Sequence, residues 1–128
     1  MTANREPIVH RIVIKIGSST LTTSDGKVDM NYIEDLAQQV RNLRERGSEV
    51  LIVSSAAIVA GLEALNLPPA RPKSIPLLQA AAAVGQIELM KAYYRAFSLH
   101  DIQIGQVLLT RNDTSSRNSY LHARSEER

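Results

Sequence analysis

Residues 12–20 read IVIKIGSST. A β-branched run carrying one internal lysine, Lys15, gives way abruptly to Gly17 and the small hydroxyl residues Ser18, Ser19 and Thr20. A short, nearly continuous apolar run of this kind is the mark of a strand buried on both faces of a parallel sheet. The same pattern returns at Glu49–Val53 (EVLIV), followed by Ser54 and Ser55, and again at Gln103–Leu109 (QIGQVLL), which predicts a third strand. Between these runs the period changes. Tyr32, Ile33, Leu36, Val40 and Leu43 stand at helical spacing within residues 30–46, ahead of Arg44, Arg46 and a C-capping Gly47.

Residues 17–26 read as loop, with Asp25-Gly26 as a turn signal. AAIVAGLEAL (56–65) reads as a helix capped by the preceding serines. Residues 66–76 hold four of the five prolines and form a stiff connector. From Leu77 to Ser98 runs a long helix whose first half is almost entirely Ala, Val, Gly and Gln, residues that let a neighbouring backbone approach closely. TRNDTSSRN is a polar loop, and SYLHARSEER begins a last helix. The order β-α-β-α-α-β-α predicts an α/β fold, an open and mostly parallel sheet with helices on both faces. Ligands of such sheets sit beyond the carboxyl ends of the strands, so the residues after each strand are the place to look.

Composition narrows the function classes. The 128 residues are the size of one domain, and 44% apolar with 22% charged residues is ordinary for a globular protein. Fifteen basic against thirteen acidic residues leave a net charge of +2, and with one Phe, four Tyr and no Trp there is no basic, aromatic-interleaved footprint for nucleic acid. Zero cysteine removes disulfides, thiol catalysis and cysteine-ligated zinc, and fits a cytoplasmic setting. No apolar stretch approaches the ~20 residues of a membrane span, and the N-terminal MTANREPIVHR lacks the apolar core of a signal peptide. His10, His100 and His122 are dispersed without ligand spacing, and Glu126 and Glu127 are adjacent, hence on different helix faces; no metal site is assigned.

Chemistry gathers at the strand ends. Gly17 would let successive amides converge on an anion, and the Lys15 stem could bring an ammonium to it, although the pattern is neither a Walker A loop nor a dinucleotide fingerprint. Two readings stay open for this stretch: an anion cradle, or a strand end whose lysine reaches solvent. Ser54 and Ser55 precede a helix whose free N–H groups would suit a carboxylate or phosphate, beside the alternative of plain capping. Thr110, Arg111, Asn112 and Asp113 end the third strand, where Arg111 could meet an anion and Asp113 a cation, or all four could be surface loop.

Taken together, VIKIGSSTLT, EVLIVSSAAIVAGLEAL, LLQAAAAVGQIELM, IGQVLLTRND and YLHAR stand in order and at spacing that resembles the glutamate 5-kinases of the amino acid kinase family, from about Ile12 to Arg124. The resemblance implies ATP-dependent phosphorylation of the L-glutamate γ-carboxylate, the opening step of proline biosynthesis, with Mg2+ as the accompanying ion. It implies that Lys15 contacts the ATP phosphates with Gly17, Ser18 and Ser19 as the phosphate loop, and that Ser55 helps to hold glutamate. It also implies a homo-oligomeric parent and a cytoplasmic location.

Two departures stand out. The family glycine after the serine pair is Ala56 here, which weakens glutamate binding if its Cβ intrudes and costs roughly 1–2 kcal/mol if the backbone there is left-handed. His122 and Ser125 replace the family's usual residues in the last segment. The family domain also continues well beyond this length. Residues 1–128 are therefore expected to be the N-terminal portion of an amino acid kinase domain, without its nucleotide-binding C-terminal half or PUA domain and without turnover alone. A non-catalytic interaction module, or a half-enzyme that needs a second chain, is the alternative.

Overall fold

Two strands and three helices are present in the computed structural model, which describes residues 10–109. Strand β1 (Arg11–Ile16) pairs in parallel with β2 (Glu49–Ser54), Arg11 opposite Glu49 and Ile16 opposite Ser54. The crossover is helix α1 (Met30–Glu45), as a parallel pair requires. Asp29 starts α1 by accepting from Tyr32 N at 3.1 Å. The end is closed by a paired motif: Ser48 N–H donates to Leu43 O (3.1 Å) and Gly47 N–H to Arg44 O (2.9 Å), with Gly47 at φ 87°. That is the left-handed glycine stop expected at Gly47.

Helix α2 (Ala57–Ala64) and helix α3 (Ile75–Ser98) follow, the latter capped by Ser74, which accepts from Leu77 N at 3.4 Å. Glycines set how closely these two cross. A Cβ on Gly61 would lie 1.7 Å from Ala81 O, and one on Gly85 would lie 1.6 Å from Ala57 O, so neither position admits a side chain. The small-residue half of α3 thus packs as the sequence predicts.

The core lies between the sheet and helices α1 and α3. Ile16, Ile33, Leu36, Val40, Leu89, Tyr93 and Phe97 are buried in one cluster, against which Ile14, Val50 and Ile52 pack from the strands. The opposite face carries Val13 and Val53, which stay 59% and 48% exposed. The α/β class and parallel pairing are as expected, while the described helices do not include one that buries this second face.

The third strand is a correction. Residues 103–109 take no strand conformation and join no ladder; among the described residues the sheet holds β1 and β2 alone. Their apolar residues Ile104, Val107, Leu108 and Leu109 are exposed instead. The physical reason is that a strand is made by its neighbour's hydrogen bonds as much as by its own residues, and no described edge pairs with this run. The polar loop and last helix expected after it lie outside the described residues.

Candidate functional site

The carboxyl ends of β1 and β2 form one rim. Ser55 N–H donates to Ile16 O at 3.0 Å, which ties the turn after β2 to the last residue of β1. Above Ile16 the chain bends through Gly17–Thr20, with Thr20 N and Leu21 N both donating to Gly17 O (3.2 and 3.3 Å) and the Thr22 hydroxyl to Ser18 O (2.5 Å). Leu21 is fully buried and anchors the turn from below. The N–H groups of Ser18 and Ser19 donate to no acceptor among the described residues. Gly17 is not left-handed, and a Cβ built on it meets nothing within 4 Å. Among the described residues nothing fills the space over this turn.

A short excursion holds the turn in place. Thr22 and Val28 form an antiparallel bridge around the Asp25-Gly26 turn, whose Gly26 (φ 79°) approaches Pro69 so closely that a Cβ would lie 2.3 Å from the proline Cβ. Val28 N–H donates to Glu63 Oε2 of α2 at 3.2 Å. The Thr23 hydroxyl donates to Asp25 Oδ1, and this bond, joined by a backbone bond, holds the Asp25 carboxyl below its ordinary range.

The second turn differs from its expected form. Neither serine caps α2. Its N-cap is Ala56, which offers no side-chain bond, and the Ser54 hydroxyl lies 2.7 Å from the Tyr93 hydroxyl of α3. The backbone explains the change: Ala56 stands at φ 80°, ψ 8°, and this left-handed step turns the chain into the helix after Ser55 has passed the cap position. The first-turn amides of α2, which have no intrahelical acceptor, therefore lack a side-chain partner as well. Ala56 is buried at 5% exposure, whereas Ser55 is exposed.

Of the residues singled out in the sequence, Gly17, Ser18, Ser19, Ser55 and Ala56 meet at this rim. Lys15 lies one step below it, opposite Val53, with its side chain on the face away from the helices and no ion pair among the described residues. Thr110, Arg111, Asn112 and Asp113, with His122, Ser125, Glu126 and Glu127, lie outside the described residues. The reading from sequence missed Tyr93 and Glu63. Tyr93 is 4% exposed, and burial raises its hydroxyl pKa against the smaller opposing effect of the Ser54 bond. Its signal was present: it falls in the buried stripe of Gly85, Leu89, Ala92 and Ala96, where a tyrosine hydroxyl needs a polar partner.

Among the described residues no group of histidine or carboxylate side chains gathers to hold a metal ion, and no helix is long and apolar enough to cross a membrane. The rim therefore offers backbone amides and small hydroxyls, an arrangement that can bind and orient an anion.

Comparison with known proteins bears on this arrangement. Residues 10–127 match the amino acid kinase family. The chain is similar to glutamate 5-kinase of Citrifermentans bemidjiense, with 51% identity over 116 residues that cover 91% of this chain and 31% of the relative. Glutamate 5-kinase 1 of Bacillus licheniformis is 49% identical over 113 residues, covering 88% of this chain and 31% of that protein. Glutamate 5-kinase of Methanosarcina barkeri is 46% identical over 123 residues, covering 91% and 32%. The chain thus spans about a third of the length of the curated relatives it matches.

Proposed function

The chain belongs to the amino acid kinase family, and from that membership we propose that it forms the N-terminal portion of a glutamate 5-kinase domain. In this reading it contributes one wall of a site that transfers phosphate from ATP to the γ-carboxylate of L-glutamate, for proline biosynthesis in the cytoplasm. The observation that carries the reading is the pairing of two turns at one rim. The free amides of Ser18 and Ser19 and the uncapped first turn of α2 are held side by side by the Ser55–Ile16 bond.

Phosphoryl transfer asks a protein chiefly to position two anions and to balance charge on the moving group. The Gly17–Ser19 turn is assigned the ATP phosphates, with Lys15 reaching up from β1 to add a positive charge. Ser55 and Ala56 are assigned the glutamate, beside the positive end of α2. Among the described residues no three histidine or carboxylate side chains gather to hold an ion, and Mg2+ would enter with the nucleotide phosphates it accompanies. The catalytic groups and the nucleotide-base pocket are assigned to polypeptide outside this chain, and the working enzyme is taken to be a homo-oligomer.

A chimera tests the proposal. The 128-residue chain replaces the matched third of the Citrifermentans bemidjiense relative, and glutamate-dependent ATP consumption is measured. Activity is expected in the chimera, with a fall of at least about a hundredfold on Lys15→Ala. The isolated chain is expected to show none. A folded chimera without turnover, or one indifferent to Lys15→Ala, rejects the assignment.

A further inference from the structure

Side chains alternate along β2. Val50 and Ile52 pack against the core, and Val53 lies on the opposite, exposed face, so Ser54 falls on the side of α3. There it meets Tyr93, which is 4% exposed and whose hydroxyl has Ser54 as its partner among the described residues. Ser55 follows Ser54 out of the strand and is exposed.

The protons in this cluster can be assigned. A serine hydroxyl has one proton to give, and that of Ser54 is donated to Ser55 O at 3.2 Å. The proton in the 2.7 Å bond is therefore the tyrosine's, so a relay runs from Tyr93 O–H to Ser54 Oγ and from Ser54 O–H to Ser55 O. Helix α2 does not supply this carbonyl with a donor. Its ladder starts one residue later, with Ala60 N–H donating to Ala56 O at 3.0 Å, and no amide of α2 donates to Ser55 O. On its other side Ser55 N–H donates to Ile16 O at 3.0 Å. The peptide groups before and after Ser55 are thus both held, one by β1 and one by the relay. Peptide planes leave a residue only two soft dihedrals, so holding both planes fixes the direction in which Ser55 projects its Cβ. The second of these planes also sets φ of Ala56, which stands at the unfavourable value of 80°.

We propose that Tyr93 is a positioning residue of the rim, which acts through Ser54 to hold the Ser55–Ala56 peptide and so aims the Ser55 hydroxyl at the substrate carboxylate. The inference rests on the reading in which Ser55 holds glutamate, and it adds to that reading a residue that lies beneath the rim and touches no substrate. A tyrosine suits the task. Its ring is locked in the core beside Phe97, with ring centroids 6.3 Å apart, so its hydroxyl is presented to Ser54 at little further cost in side-chain entropy. Ser55, although exposed, is thereby tied to the interior of the fold by way of α3.

The test combines kinetics of the chimera with 15N relaxation of the 128-residue chain. In the chimera, Tyr93→Phe and Ser54→Ala are each expected to raise the KM for glutamate by about two- to tenfold, the range of one hydrogen bond. The kcat and the KM for ATP are expected to stay as they were. The double variant is expected to match Ser54→Ala, because Tyr93 reaches the site only through that hydroxyl; a merely structural tyrosine would add a loss of its own. In the chain alone, the Ala56 amide belongs to the held peptide and reports on it directly. Its order parameter is expected near the rigid value of about 0.85 in the wild type and to fall toward about 0.6 in both variants. An unchanged KM for glutamate on Tyr93→Phe in an active chimera, a double variant worse than Ser54→Ala, or unaltered order at Ala56 would each overturn the proposal. A chimera without turnover, in a chain whose Ala56 amide still loosens in both variants, would reject the kinase reading and leave the relay standing.

Discussion

The two turns at the rim invert each other. After β1 stands a glycine, Gly17, at a position where the fold asks for none: its backbone is not left-handed, and a Cβ there would touch nothing within 4 Å. After β2 stands an alanine, Ala56, at a position whose backbone favours glycine, with φ 80°. The first turn spends conformational freedom that folding does not use, and the second carries strain that folding has to offset. A residue that the surrounding protein does not explain directs attention to what else approaches it. Under the proposed function the β1 turn would offer a ligand the space that the described residues leave above Gly17, and the β2 turn a methyl group where the glycine implied by the family resemblance would leave room.

Helices α2 and α3 hold a glycine of the opposite kind. Gly85 is required by contact, since its Cβ would fall 1.6 Å from a backbone oxygen that cannot rotate away. Gly85→Ala is expected to cost about 1–3 kcal/mol or more by forcing the helices apart, read by urea denaturation. A loss under about 0.5 kcal/mol, within the range of an ordinary surface substitution, would mean that close approach does not dictate glycine in this molecule, and the contrast with Gly17 would lose its footing.

The next effect concerns what holds the β2 turn from below. Tyr93→Phe removes the 2.7 Å bond to Ser54 and is expected to cost about 1 kcal/mol at neutral pH. Burial raises the Tyr93 pKa above its ordinary value of about 10. A raised folded-state value means that its contribution is fully present below pH ~10 and is lost as pH climbs from there through the folded value. Wild type should therefore lose stability across that alkaline window more steeply than Tyr93→Phe. Parallel curves would show that the hydroxyl does not brace the turn.

Much of this was legible in the sequence, and the failures share a cause. The five described elements begin and end within about two residues of their expected limits because periodicity, caps and Gly47 act locally. What local signals could not settle was decided by partners distant in sequence. Ser54 reads as a cap until Tyr93, far along the chain, takes its hydroxyl. Residues 103–109 have the composition of a strand, but composition cannot say whether an edge will meet them. Ala56 stands out in the sequence only as a departure from the family pattern that leaves an intruding Cβ and a left-handed backbone both open, and the path from β2 into α2 shows the backbone to be left-handed.

Ala56→Gly addresses that strain directly. Relief of roughly 1–2 kcal/mol at a left-handed residue is partly cancelled by glycine's greater entropy loss, about 0.5–1 kcal/mol, so a net gain of about 0.5–1 kcal/mol is expected. In the chimera described above the same change is expected to lower the KM for glutamate by opening room beside Ser55, with kcat little altered. A gain in stability with an unchanged KM would separate the strain from the substrate and remove Ala56 from the glutamate side of the site.

Gly17→Ala has the smallest expected effect on the fold and is the sharpest test of the contrast. With a permitted backbone and free space, the substitution should leave stability unchanged or raise it by up to about 1 kcal/mol, through the reduced entropy of the unfolded chain. If the space over the turn belongs to a phosphate drawn close to the Ser18 and Ser19 amides, the added methyl group must instead obstruct it. The chimera bearing Gly17→Ala should then show a raised KM for ATP in a protein at least as stable as its parent. That combination cannot arise from damage to the fold, because stability and nucleotide affinity would move in opposite directions. An unaltered KM for ATP would return Gly17 to the reading in which β1 simply ends in a turn, and the anion cradle would have to be sought at the start of α2 alone.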